Sequence, residues 1–399
     1  MRTAPAPRLR FAKITFIACF LGSSALAESP GLTVRADGTL LRAGEPYRGI
    51  GINCFDLFLK RIKNPSDKSH EQRLTDLARL GVPFVRFNAG GFWPVDWQLY
   101  RDHPEDYFGL LDEVVAAAEK HHVGLIPSLF WHVPTVPDLV GEPINAWGKT
   151  DSATHRFMSR YVEQLVRRYA RSPAIWAWEM GNEYNLLVAI RPDGGAGQVV
   201  PKLGTPESRG PKDKLDQGDL QTAMEAFARD VRRHDPYRAI ITGNSIPRWA
   251  AEHLNRTGQW TADSRGEFVS NLIASNPDGV NTISVHVYPH ALEKRFGQDQ
   301  VSYAALFEAI TDASARCKKP VFVGEFGADL NELGPALSKQ HILDQLAAIE
   351  KASVALAAVW VYDFPPQEGT HSIRPDNDLA WILNVLRETN ARLQSSGQR

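Results

Sequence analysis

Ile175-Trp176-Ala177-Trp178-Glu179-Met180-Gly181-Asn182-Glu183 is the stretch on which the fold turns. Ile175–Met180 is short and apolar, as a strand buried on both faces must be. A glycine ends it, and two polar residues follow. Seven further runs have the same character: Tyr47–Ile52, Phe84–Phe87, Gly124–Phe130, Ala239–Thr242, Thr282–Val287, Pro320–Gly324 and Ala357–Val361. Amphipathic stripes lie between them. Leu74, Leu77 and Ala78 form one, Tyr161, Leu165 and Tyr169 another. Others are Leu220, Met224, Phe227 and Val231; Tyr303, Leu306, Phe307 and Ile310; and Ile342, Leu346 and Ile349. Leu379, Ile382, Leu383 and Leu386 close the chain. Eight strands alternating with eight helical stretches predict an α/β fold of the (β/α)8 barrel type. The residues before Tyr47, with a turn at Asp37-Gly38, read as a short hairpin at the barrel bottom. A doubly wound sheet would carry a glycine-rich first turn for a nucleotide. Here Gly49 and Gly51 sit inside the first strand, where glycine leaves room in a crowded interior.

The chain has 399 residues, 43% hydrophobic and 23% charged, which excludes collagen-like and wholly disordered classes. Its 45 basic and 46 acidic residues are not gathered into runs, and no phosphate loop or zinc-finger spacing is present, so nucleic acid is not an expected partner. Arg2, Arg8, Arg10 and Lys13 precede an apolar stretch, Ile14–Leu21, too short to cross a bilayer. Ala25-Leu26-Ala27 then offers a cleavage site, so residues 1–27 read as a secretory signal and residues 28–399 as the mature domain. Phe16-Ile17-Ala18 before Cys19 is a poor lipobox, which favours plain export, to the periplasm or outside the cell, with no membrane association afterwards. Loss of the four basic groups gives a mature charge of 41 − 46 = −5. Cys54 and Cys317 fall at opposite ends of the expected barrel. A strand spans roughly 17–20 Å, whereas bridged Cα atoms lie within about 7 Å, so both thiols are expected free.

In such a barrel, function sits where strands end. Alternation puts Phe84, Arg86 and Asn88 on one face, Ser284, His286 and Tyr288 on another, and Val321, Val323 and Glu325 on a third. If those faces look inward, Arg86, His286, Tyr288 and Glu325 converge at one mouth, joined by Glu183. Two carboxylates across a cleft are what acid/base cleavage of an acetal requires. Burial and a nearby negative Glu325 would keep Glu183 protonated. Plainer readings exist for the same residues. A glutamate at a strand end is usually a cap or merely solvated, but two at matching barrel positions with Asn182 argue against that, and Arg86 reads also as a structural ion pair with Glu179, a role compatible with catalysis. His286, His290, His121 and His122 form no HExxH or three-histidine set, so neither metal nor cofactor is expected. Trp93, Trp97, Trp131, Trp147, Trp249, Trp260 and Trp360 fall at strand ends or in following loops, where flat rings stack on sugar faces. Trp176, Trp178 and Trp381 read as packing.

Asn182-Glu183 ending strand four, with a glutamate ending strand seven, resembles the clan of retaining (β/α)8 glycoside hydrolases. Arg86, His286-Val287-Tyr288 and Trp360 are most similar to family 5, the cellulase and mannanase family. The motifs fall on six of eight strands in the right order, and the specificity lies in that ordered set. The resemblance implies Glu183 as acid/base, Glu325 as nucleophile and Asn182 as partner of the sugar 2-hydroxyl. It implies that Arg86 holds Glu325 ionised, that Tyr288 lies near Glu325 and His286 near Glu183, and that Trp360 floors the non-reducing side. His132 matches a strand-three histidine more loosely. Tyr184 stands where the family often has proline, and the long segment Asn185–Gln217 has no counterpart. Following Glu183, that segment is expected to lie over the site and shape substrate choice rather than the fold. The implied protein is a monomeric β-glycan hydrolase of mannan or glucan type, acting on oligo- or polysaccharide. An exo-acting, β-mannosidase-like glycosidase of the same clan is the alternative. A non-catalytic sugar-binding barrel is another, against which the carboxylate pair argues.

Overall fold

The computed structural model describes Met1, residues 30–189 and residues 198–396. The expected signal segment, Met1 aside, lies outside the described residues. Eight parallel strands form a nearly closed barrel: Gly49–Asn53, Phe84–Asn88, Gly124–Phe130, Ala177–Gly181, Ala239–Ile241, Ile283–Val287, Val321–Phe326 and Leu356–Val359, called barrel strands one to eight. Backbone pairing runs five, four, three, two, one, eight, seven, six. The seam between five and six is bridged by side chains instead: Asn281 accepts from Ile240 N–H at 2.7 Å, Thr282 donates to Ile240 O at 3.0 Å and Ser284 to Asn244 O at 3.1 Å. Strand four begins later than its apolar run, because Ile175 makes only an isolated bridge to Leu125 and Trp176 turns into the barrel bottom.

The bottom is closed as the sequence predicts, by three short antiparallel strands, Leu32–Val34, Leu40–Arg42 and Glu45–Pro46, rather than a simple hairpin. Leu32 and Leu40 pack into the interior against Phe84, Ile126, Trp176, Phe322 and Leu356. Gly51 is needed there, since a Cβ on it would fall 2.4 Å from the Phe84 carbonyl oxygen.

Strand seven corrects the expected alternation. Val321 and Val323 face the surrounding helices with Ile310 and Ile349, whereas Phe322 faces the interior. Val323 pairs with Val285, but Glu325 pairs with His286, so Gly324 is one residue too many. This bulge resets the alternation and turns Glu325 inward. Strands two and six keep theirs: Val85, Phe87, Val285 and Val287 meet the helices, leaving Arg86 and His286 inside. Cys54 and Cys317 are free thiols, as expected.

Candidate active site

Arg86, with no exposed surface, organises the mouth of the barrel. Its Nε donates to both Glu179 oxygens at 2.8 and 2.9 Å. Nη1 donates to Glu325 Oε1 at 2.8 Å and Asn53 Oδ1 at 3.0 Å, and Nη2 to Asn182 Oδ1 at 2.8 Å. The two readings of Arg86 therefore coexist in one fork of donors. Burial opposes its charge, but Glu179 and Glu325 outweigh burial and hold the guanidinium above its ordinary range. The Trp131 ring covers it at 4.3 Å.

The second oxygen of Glu325 accepts from the Tyr288 hydroxyl at 2.7 Å. Burial and the Glu325 charge keep that hydroxyl protonated, far above its usual range. Glu183 follows strand four in a left-handed conformation, φ 55°, an uncommon one for a residue with a Cβ. Its N–H is anchored to Gly243 O at 2.8 Å. Its carboxylate accepts from His286 Nδ1 at 2.9 Å, and the same nitrogen stands 3.6 Å from Glu325 Oε1. One oxygen of each carboxylate and a His286 nitrogen lie within 4.8 Å of one another. Burial does raise the Glu183 carboxyl, as the sequence suggests. The His286 hydrogen bond and charge, with Ser245 and Arg86, outweigh it and leave Glu183 below its ordinary range in the free site. The same three donors have metal-ligand spacing, but the Arg86 charge 2.8 Å from Glu325 opposes a cation there. A second set, His253, Asp263 and Glu267, is engaged in capping: Asp263 accepts from Glu252 N–H and His253 N–H, and Glu267 from Ser264 N–H.

Glu183 and Glu325 line a cleft of about 730 Å³ whose walls include Trp131, Asn182, Ser245, Trp249, Trp260, Tyr288, Trp360 and His371. Trp360 is fixed by its Nε1 donating to Gln367 at 2.7 Å. A larger hollow of about 1040 Å³ lies at the opposite end, beside Thr39 and Tyr47, and contains none of the converging residues. His132 is not brought to the carboxylates. It stacks on Phe92 at 4.7 Å, meets Thr135 at 3.1 Å, and burial drives its pKa down to about 4. Trp97 and Trp147, candidates for sugar stacking, are wholly buried packing residues, while Trp93 lies against His132.

The Asn185–Gln217 segment reaches the cleft at Leu186, but its described residues from 198 onward are held elsewhere. Arg209 makes a buried two-pronged pair with Asp138, at 2.5 and 2.7 Å. Asp213 accepts from Ile144 N–H, and Gly204 rests on Pro94. Residues 198–217 are thus bound to the loops after strands two and three and contribute nothing to the described walls of the cleft, whereas Asn185 is tied to Ser245 after strand five. Sequence reasoning missed Asn53 and Ser245. Asn53 ends strand one and carried the ordinary strand-end signal. Ser245 lies four residues past strand five, where alternation no longer predicts direction.

The model of cellulase, glycosyl hydrolase family 5, matches residues 42–363. Mannan endo-1,4-beta-mannosidase 8 of Oryza sativa subsp. japonica is 25% identical over 343 residues, covering 75% of this chain and 80% of that protein. Mannan endo-1,4-beta-mannosidase 5 of Arabidopsis thaliana is 24% identical over 276 residues, 63% of this chain, and the match spans only 58% of that protein. Among solved structures, the endo-1,4-beta-mannanase from Rhizomucor miehei superposes with a TM-score of 0.63 at 16% identity, over 92% of this chain and all (100%) of that one.

Proposed function

Since the chain belongs to glycosyl hydrolase family 5, we propose that it cleaves β-linked glycans with retention, by double displacement between Glu325 and Glu183. One observation carries this: oxygens of the two carboxylates lie within 4.8 Å. Retaining pairs stand about 5–5.5 Å apart, whereas inverting pairs need about 6.5–9.5 Å to admit a water. Glu325, oriented by Arg86 and Tyr288, attacks the anomeric carbon while Glu183 protonates the leaving oxygen. Glu183 then takes a proton from the water that releases the sugar. Asn182 spends its carbonyl oxygen on Arg86, which leaves its amide NH₂ for the sugar 2-hydroxyl. The names of the relatives favour β-1,4-mannan over β-glucan as substrate. NMR of the first-formed product from mannan, glucan and xylan oligosaccharides tests the reading. The β-anomer is expected first, and the α-anomer would overturn it.

The proposal extends to export after cleavage at Ala27, supported by the basic, apolar and small-residue order of the first 27 residues. N-terminal sequencing of the mature protein should begin at Glu28.

A further inference from the structure

We infer that the cleft accepts one sugar on its glycone side, so that the protein removes sugars singly from the non-reducing end of a β-linked chain. This rests on the roles of Glu183 and Glu325 given above. The leaving oxygen must approach Glu183, so the leaving part of the substrate extends toward the neighbours of Glu183: Ser245, Trp249 and Trp260. That side is open. Trp260 is 53% exposed, and its ring lies 5.4 Å from that of Trp249.

The other side is bounded by Trp131, which lines the cleft and is itself only 5% exposed. On this reading the sugar that reacts with Glu325 sits over Trp360, which lines the same cleft. Behind Trp131 stands Phe55, from the segment after strand one. Its ring packs edge-on to Trp131 at 4.9 Å and to Phe364 at 5.2 Å, and lies 6.2 Å from Trp360. Only 8% of Phe55 is exposed, and it belongs to one apolar cluster with Leu59, Trp131 and Val361. The described walls of the cleft come from the ends of strands three to eight. The segments after strands one and two add none. A second glycone sugar would have to displace this cluster.

The wall is also fastened. Arg73, its side chain 4% exposed, donates to Asp56 Oδ1 at 2.6 Å and to Asp363 Oδ2 at 2.7 Å. Those acids adjoin Phe55 and Phe364 in sequence, so one buried guanidinium joins the segments that back the Trp131 wall.

The test is time-resolved product analysis of the full mature chain on β-1,4-mannohexaose, with β-1,4-glucohexaose in parallel. Monosaccharide and pentasaccharide should be the first products. Blocking the 4-hydroxyl of the non-reducing terminal sugar should slow cleavage more than tenfold, and reducing the opposite end should change the rate less than twofold. Early release of di-, tri- and tetrasaccharides, or indifference to the block, would overturn the inference while leaving the retaining reading intact. A protein inert on both oligosaccharides and on the corresponding polymers would overturn the glycosidase reading, and this inference with it.

Discussion

Glu325 and Glu183 are one residue type in two surroundings, and the surroundings dictate different failures. Glu325→Ala should abolish turnover, and azide should restore it from the opposite face, giving the inverted glycosyl azide. Glu183→Ala should spare substrates whose leaving groups need no proton, with azide then giving the retained product. Kinetics on activated aryl glycosides and NMR of the azides check both. His286 adds a pH signature. Burial pushes Glu183 up and His286 is the largest influence lowering it, so removal of His286 leaves burial opposed only by Ser245 and Arg86. His286→Gln should therefore move the alkaline limb of kcat/KM to higher pH, on substrates with poor leaving groups. An unmoved limb would mean that another group sets it. These partners were legible in the sequence because strand alternation places Arg86, His286 and Tyr288. The lowering of the Glu183 carboxyl was not legible, since it follows from a His286 nitrogen coming within 2.9 Å of it.

At the scale of elements, Gly324 does two things at once. As the extra residue of strand seven it turns Glu325 inward, and its missing side chain admits His286, whose Nε2 would stand 2.8 Å from a Cβ there. Gly324→Ala should reduce kcat by at least tenfold with little change in the far-ultraviolet circular dichroism spectrum, because the added methyl displaces the imidazole between the glutamates. An isolated glycine in a strand is a known sign of a bulge, so the correction to strand seven was available in the sequence Val321-Phe322-Val323-Gly324-Glu325. The long segment after strand four offered no such sign. Its polar composition suits an exposed loop, but Arg209 and Asp138 are 5% and 1% exposed at their side chains. Arg209→Met should lower stability by about 3–5 kcal/mol, the usual result of leaving a buried charge without its partner. Denaturant unfolding measures this, and a loss under 1 kcal/mol would show that the segment is not fastened there.

For the whole molecule, the order of eight apolar runs was enough to give the barrel, because parallel strands covered on both faces announce themselves by composition. The seam between strands five and six was invisible, being made by Asn281, Thr282 and Ser284 rather than by a backbone ladder. The same topology keeps the two cysteines apart. Thiol titration of the unfolded mature chain, without reductant, should find two thiols; in the folded protein Cys54 should stay unreactive, being wholly buried with its thiol pushed up to about 12. The wall of Phe55, Trp131 and Phe364 has a consequence for how the molecule meets a polymer. A protein open at both ends counts bonds, and every linkage in a long chain is a target. One with a shut end counts termini. At fixed mass of polysaccharide, halving the average chain length should double its initial rate, and a side branch near the terminus should halt it until something else removes the branch.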